Sequence, residues 1–506
     1  MQKSGKLYTL VLVVWGAFSL LLVDYLVREC RAANNFMVGF LLTISILVLI
    51  LFWLGSVRDL LFSLCYVFKK RTFKKAIAPY ASHEIVGTPR VLLLYCTCND
   101  FNPSALLRSM KQTYQNCETI ILDDSKKPTY LRQVDEFARE HRLTVVRRAT
   151  KIGFKAGNLN HYLRGREDYD YFVVLDSDEI LPPNYVEDIL RYFSAMSHVG
   201  AVQAAHAASP GENVFQRLLG MSVRSNGATA QVVKQFYGAN ALMGHGMTLS
   251  RECYTATGGF PHVVAEDISM AVLIKNAGYE IAYAPHILCY EEFPYDYAAL
   301  KKRQCKWTQG NLEYMRKYHG DIVSSNMAWF EKLDMMLSHY MLPLTPVFSL
   351  LLVIVNIVLG LFDYEVIRHS VFIYSLMTLF LLSPLIPDLL IYGKTKQAVW
   401  LLPYFALNIV TYASMAPMML RTVFSGMLGK SATFIITPKG KRRFSLYETL
   451  CYTIDSLLFA FALAMFSLWS CGTIIPSALL VGGCALAPFA VALANLTYSS
   501  HQRHLA

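Results

Sequence analysis

Tyr171-Phe-Val-Val-Leu-Asp-Ser-Asp178 decides how this chain is read. Five apolar residues bounded by polar ones predict a short buried strand, and the carboxylates of Asp176 and Asp178 stand at its carboxyl end. With a strand period of two, both side chains leave the same face, so both can address one divalent cation, Mg²⁺ or Mn²⁺. A D-x-D is a common chance pattern, so the surrounding sequence has to supply the context.

That context repeats the pattern. Val91–Tyr95, Thr119–Leu122, Leu143–Val146 and Ala201–Ala204 also read as buried strands, with helical segments Ser104–Thr113 and Tyr130–Glu140 between them. Such alternation predicts an α/β domain with a mostly parallel sheet and helices on both faces. Ligands in these sheets bind at the carboxyl ends of strands, where Asp123, Asp124, Asp176 and Asp178 fall. Asp123 and Asp124 can accept from a nucleobase N–H or simply close an Asx turn. Lys155 opens Lys155-Ala-Gly-Asn-Leu-Asn160, a segment whose small residues and cation can approach a phosphate. Glu266 and Asp267 precede a helical stretch, Ile268–Asn276. Asp267 can serve as a general base, or the pair can be an acidic helix N-terminus. Around Trp307, the cations Lys301, Lys302, Arg303 and Lys306 are interleaved with apolar residues. This segment reads either as a sugar-stacking and pyrophosphate-holding helix or as a basic helix resting on a membrane surface.

The chain has 506 residues, of which 54% are hydrophobic and only 16% charged, with a net charge of +11. Apolar runs near 7–27 and 36–57 are each long enough to cross the hydrocarbon layer. The basic run Lys69–Lys75 after them is expected to stay cytosolic. Further apolar stretches lie near 342–362, 371–392, 398–420, 447–470 and 474–496. Counting all of them as spans would place Lys430, Lys439, Lys441, Arg442 and Arg443 outside. Ala398–Leu420, which carries Pro403, Asn408 and Pro417, is therefore assigned to the membrane interface. The expected layout is a transmembrane hairpin over 1–75, a cytosolic domain over 85–325, and interface helices with four spans over 326–506. No aromatic-basic nucleic-acid signature is present, so the positive charge is ascribed to membrane orientation. The eleven cysteines lack paired metal-ligand spacing and are expected to be reduced structural thiols, as in a plasma (inner) membrane protein facing the cytosol.

Taken in order, these segments resemble the membrane-integrated family-2 glycosyltransferases, the group of cellulose, chitin and hyaluronan synthases, over nearly the whole chain. Thr97-Cys-Asn-Asp100 is similar to the family's T-Y-N-E, and Ala265-Glu-Asp267 to its T-E-D. Arg303-Gln-Cys-Lys-Trp307 is similar to its Q-x-x-R-W, and Phe434–Gly440 to the F-x-V-T-x-K gating loop, set within 430–443. The resemblance implies a glycosyltransferase-A-type domain inserted between six transmembrane helices. It implies nucleotide-sugar contacts from Thr97, Asp100, Asp123, Asp124, Lys155, Asp176, Arg303, Lys306, Thr437 and Lys439. Metal would be held by Asp176 and Asp178, acceptor by Glu266 and Trp307, and the base would be Asp267. The implied activity is inverting, processive transfer of a hexose from a UDP-sugar, with UDP-glucose expected. The product would be a β-linked polysaccharide exported through the membrane, with accessory subunits or a homo-oligomer as possible partners. The alternatives are single-sugar transfer to a lipid, or a transport channel with a non-catalytic domain. Arg303 stands where the family has Gln, and Lys306 where it has Arg. A Lys keeps the charge but loses the bidentate fork, which bears on acceptor geometry.

Overall fold

In a computed structural model the structure describes residues 3–430, 432 and 442–497. Two long helices open the chain, α1 (Lys6–Ala33) and α2 (Phe36–Ala81). Asn35 caps α2, its side chain accepting from the backbone N–H of Met37 and Val38. At 1.5 Å per residue, the 46 residues of α2 run about 69 Å, more than twice the hydrocarbon thickness. The basic run Lys69–Lys75 is therefore part of a rigid stalk and not of a flexible linker. Its apolar side holds the stalk to the domain, with Phe73 and Ile77 buried and the Phe73 ring stacked 4.7 Å from that of Phe236.

The domain is a seven-stranded sheet: β1 (Val91–Thr97), β2 (Cys117–Asp123), β3 (Thr144–Val146), β4 (Tyr171–Leu175), β5 (Val199–Ala208), β6 (Met247–Ser250) and β7 (Glu280–Glu291). The spatial order is β3-β2-β1-β4-β6-β5-β7. β1 to β4 are parallel, β6 runs against both its neighbours, and β5 pairs with β7 in parallel. The buried runs of Val, Ile and Leu in β1, β2 and β4 leave one core on each face of the sheet. Strands β6 and β7 escape the sequence reading. The first is only four residues long. The second contains Pro285, and its pairing shifts register between Ala204 and Ala205 of β5. The result is a mixed sheet of the glycosyltransferase-A type.

Three further helices matter for the site: α3 (Phe154–Leu163), α4 (Glu266–Asn276) and α5 (Tyr297–Ser324). After α5 the chain returns to apolar helices. Among the described residues six helices or helix runs are long and apolar enough to cross a membrane: Lys6–Ala33, Phe36–Ala81, Trp329–Phe362, Val366–Tyr392, Leu446–Cys471 and Ile475–Asn495. The stretch assigned above to the interface forms the pair Lys396–Ser414 and Ala416–Met427, bent by 41°, with Pro417 one residue past the break. Six such helices match the number of spans expected, and the bent pair has the form of a broken span or a re-entrant loop; the protein is a multi-pass membrane protein. Thr437 and Lys439 lie outside the described residues.

Candidate active site

The carboxyl ends of β1, β2 and β4 converge, and short loops there hold the predicted residues in a hydrogen-bonded frame. Asp100 ties two strands together. Its Oδ1 accepts from the Thr97 hydroxyl (2.9 Å) and the Cys98 N–H (2.8 Å), while Oδ2 accepts from the Ser177 hydroxyl (2.7 Å). Ser177 is the middle residue of the D-x-D, so Asp100 positions that motif from the neighbouring strand.

Asp123 and Asp124 end β2 side by side but face different partners. Asp123 is buried, accepts from the Ser125 N–H (2.8 Å) in an Asx turn, and takes a 2.7 Å bond from Nε of Arg147. Asp124 is gripped by Arg148 through Nε (3.0 Å) and Nη2 (2.6 Å), a bidentate pair buried on both sides. Lys151 donates to the Asp124 carbonyl (2.5 Å) and the Ser125 carbonyl (2.6 Å). The sequence reading passed over Arg147, Arg148 and Lys151. The cue was available, since these cations follow β3, the strand beside β2.

Lys155 projects from the first turn of α3. Its ammonium donates to Oδ1 of Asp176 and to the carbonyl of Gly244 (2.6 Å). Burial opposes its charge, but Asp176 and Glu266 outweigh that, holding the Lys155 ammonium above its ordinary range. Burial likewise works against the Asp176 carboxylate, yet Lys155 and then His245 keep it well below the usual carboxylate range. Asp176 keeps 42% of its side-chain surface exposed. Asp178 accepts from the Glu292 N–H (3.0 Å).

Asp267 sits in the first turn of α4. A Cβ added to Gly244 would lie 3.2 Å from Oδ2 of Asp267, so this carboxylate flanks the same backbone segment that receives Lys155. Lys155 and Lys306 act electrostatically on both Asp176 and Asp267. The structure thus brings 155, 176 and 267 together around the Gly244 backbone. Burial and the adjacent Asp267 push Glu266 up to about 7 against the pull of Lys155, and burial raises Asp267 as well. Helix α5 leans on this turn. The backbone at Gly310 approaches Ala265 so closely that an added Cβ would lie 3.0 Å from the Ala265 side chain. The Val264 N–H donates to Glu313 (3.1 Å). On α5, the Arg303 guanidinium lies between the rings of Phe293 (4.5 Å) and Trp307 (4.6 Å). Trp307 is 42% exposed, the face available to a sugar.

A second cluster went unread in the sequence. His245, between Gly244 and Gly246, donates from Nδ1 to Glu179 and reaches Glu291 with Nε2 at 3.2 Å. Burial disfavours its charge, but Glu179 and Glu291 hold it protonated well above the ordinary histidine range. Glycines with positive φ on both sides (+83° and +55°) form the turn that aims it inward. The two bracketing glycines were the available cue.

This geometry accords with what the chain resembles. Residues 171–393 match the family described as glycosyl transferase family group 2. The glucans biosynthesis glucosyltransferase H of Vibrio cholerae serotype O1 is 24% identical over 392 residues, 66% of this chain and 53% of that protein. The protein of the same description from Shewanella sp. (strain ANA-3) is 26% identical over 246 residues, 45% of this chain and 32% of that one. The chain therefore spans about half the length, or less, of these curated relatives. Among solved structures, the mannosyltransferase PcManGT from Pyrobaculum calidifontis, in complex with GDP-Man and Mn²⁺, superposes with a TM-score of 0.48 at 20% identity. That superposition covers 76% of this chain and 98% of that one. The protein carries a glycosyltransferase domain set among membrane-spanning helices. Over residues 171–393 it is similar to glycosyl transferase family group 2, and over about two thirds of the chain to the glucans biosynthesis glucosyltransferases.

Proposed function

We propose that this protein is an inverting, processive hexosyltransferase. It would take a hexose from a UDP-sugar, UDP-glucose foremost, and add it to the end of a β-linked polysaccharide that leaves through the membrane helices. The observation that carries the reading is the juxtaposition of Asp176, Lys155 and Asp267 around the Gly244 backbone.

Each group has a task in that reaction. Thr97, Asp100, Asp123 and Asp124 form the nucleotide end, with Asp100 and the Asp124–Arg148 pair holding its walls in place. Asp176 and Asp178 offer oxygen donors only, a set that suits Mg²⁺ or Mn²⁺ and fits poorly with softer metals. When bound, such an ion would neutralise charge developing on the departing diphosphate. Lys155 adds a fixed positive charge to the same place, and Lys306 and Arg303 extend it along α5. Asp267 takes the proton from the acceptor hydroxyl as the new bond to the anomeric carbon forms and the bond to the diphosphate breaks. One carboxylate at that position fits a single displacement with inversion. The exposed Trp307 ring would stack on the terminal sugar of the acceptor and Glu266 would hydrogen-bond it, while Thr437 and Lys439 would close over donor. The long stalk of α2 and its basic run favour a cytosolic domain at the inner membrane.

The reading is tested with purified protein in lipid vesicles, radiolabelled UDP-glucose and Mg²⁺ or Mn²⁺. The expected product is a polymer resistant to extraction with lipid solvents. A product carrying one sugar on a lipid would remove processivity, and no transfer from any UDP-hexose would remove the assignment of donor.

A further inference from the structure

Behind the D-x-D the sheet itself assembles a second set of ligating side chains. In the parallel pairing of β5 with β7, His206 stands directly opposite Cys289, so the two share a face of the sheet. Glu179, from the loop after β4, reaches the same place. One ligating atom each from Glu179, His206 and Cys289 lies within 4.8 Å of the other two, and all three residues are buried.

Nε2 of His206 and Oε1 of Glu179 are buried and face each other at 3.3 Å. That is roughly the separation of two ligands on a tetrahedral ion with bonds of about 2.0–2.2 Å. The outer oxygen of Glu179 accepts from His245, which in turn meets Glu291. A ligating carboxylate anchored from behind in this way is a common support of metal sites. Charge also balances: a divalent ion, an ionised thiol and the Glu179 carboxylate sum to zero.

We propose that Glu179, His206 and Cys289 supply three ligands to a zinc ion that clamps β5, β7 and the loop carrying the D-x-D, with His245 bracing Glu179 from outside. The donor set sorts the metals. A thiolate, an imidazole and a carboxylate select zinc, whereas the oxygen-only pair Asp176 and Asp178 selects Mg²⁺ or Mn²⁺. Cys289 follows no paired-cysteine spacing, so only the strand register brings it to the site. The inference does not rest on sugar transfer and stands if the protein transfers nothing.

The test uses the full chain purified in detergent and washed briefly with EDTA, with metal content measured by mass spectrometry. About one zinc per chain is expected in the wild type and in Asp176→Asn, falling to below about 0.1 in His206→Gln and Cys289→Ser. Should those two variants fail to fold, cobalt exchanged into the wild type decides. A thiolate-to-cobalt charge-transfer band is expected. Zinc below about 0.1 per chain in the wild type with no cobalt band would overturn the site. So would zinc retained equally by folded His206→Gln and Cys289→Ser, which would mark an adventitious ion held elsewhere.

Discussion

Lys155 and Asp176 form the ion pair on which the pocket turns: one ammonium bridges the first carboxylate of the D-x-D and the backbone carbonyl of Gly244. The contact couples α3, the end of β4 and the turn before β6. Replacing Lys155 by Met removes the cation while keeping most of the stem. A charge-assisted bond of this kind contributes about 1.5–3 kcal/mol, discounted here because Asp176 is part exposed. The expected outcome is a rise in donor Kd of about tenfold, read by calorimetry with UDP. Unchanged UDP affinity would detach Lys155 from the donor site.

Asp267→Asn tests the base. The amide is nearly isosteric and cannot take a proton, so turnover should fall by about 10²–10⁴-fold while UDP binding holds. Full polymer output from this variant would transfer the role to another group.

The Glu266–Asp267 pair predicts the pH response. Both carboxyls bind protons more tightly than usual because burial disfavours their charged forms, and Glu266 titrates near about 7. As pH falls, the base Asp267, whose carboxyl burial has raised, takes up a proton, so kcat/KM should drop by about tenfold per unit on the acid side. Glu266→Gln should move that limb to lower pH by removing the neighbouring charge. The stability effect has the opposite sense. A carboxyl whose folded pKa is raised contributes stability present below its unfolded value and lost as pH rises through about 7. A flat rate profile between about pH 5 and about pH 8 would contradict the pairing.

Arg148 and Asp124 make a structural prediction. Both are buried and joined by two hydrogen bonds, so Arg148→Ala leaves a carboxylate buried without its partner. The expected loss is about 3–5 kcal/mol, seen as a lower unfolding midpoint in detergent. Asp124→Ala with Arg148→Met together should recover part of it, because no lone charge remains.

Trp307→Ala should shorten or abolish the polymer while leaving hydrolysis of the UDP-sugar measurable, whereas Trp307→Phe, which keeps a stacking face, should retain product. Equal losses in the two variants would show that the ring acts through packing and not through the sugar.

Much was legible before any fold was known. Tyr171–Leu175 ending in Asp176-Ser-Asp178 needed only strand periodicity to be placed at a sheet's carboxyl edge. The apolar lengths near the two ends located the six long apolar helices and the one irregular stretch. These readings rest on local hydrophobic pattern and on charge placed beside it, which the chain carries within windows of a few residues. Strands β6 and β7 were not legible. Met247–Ser250 is too short to show a period, and Glu280–Glu291 is interrupted by Pro285 and a shifted register. The partners Arg148 for Asp124 and Gly244 for Lys155 were equally hidden, since 24 and 89 residues separate them. The sequence alone marked which groups carry candidate chemistry and which segments are long and apolar enough to span a membrane. Only the tertiary structure decided which groups meet, because pairing across the sheet depends on strand order, and strand order leaves no trace in any single strand.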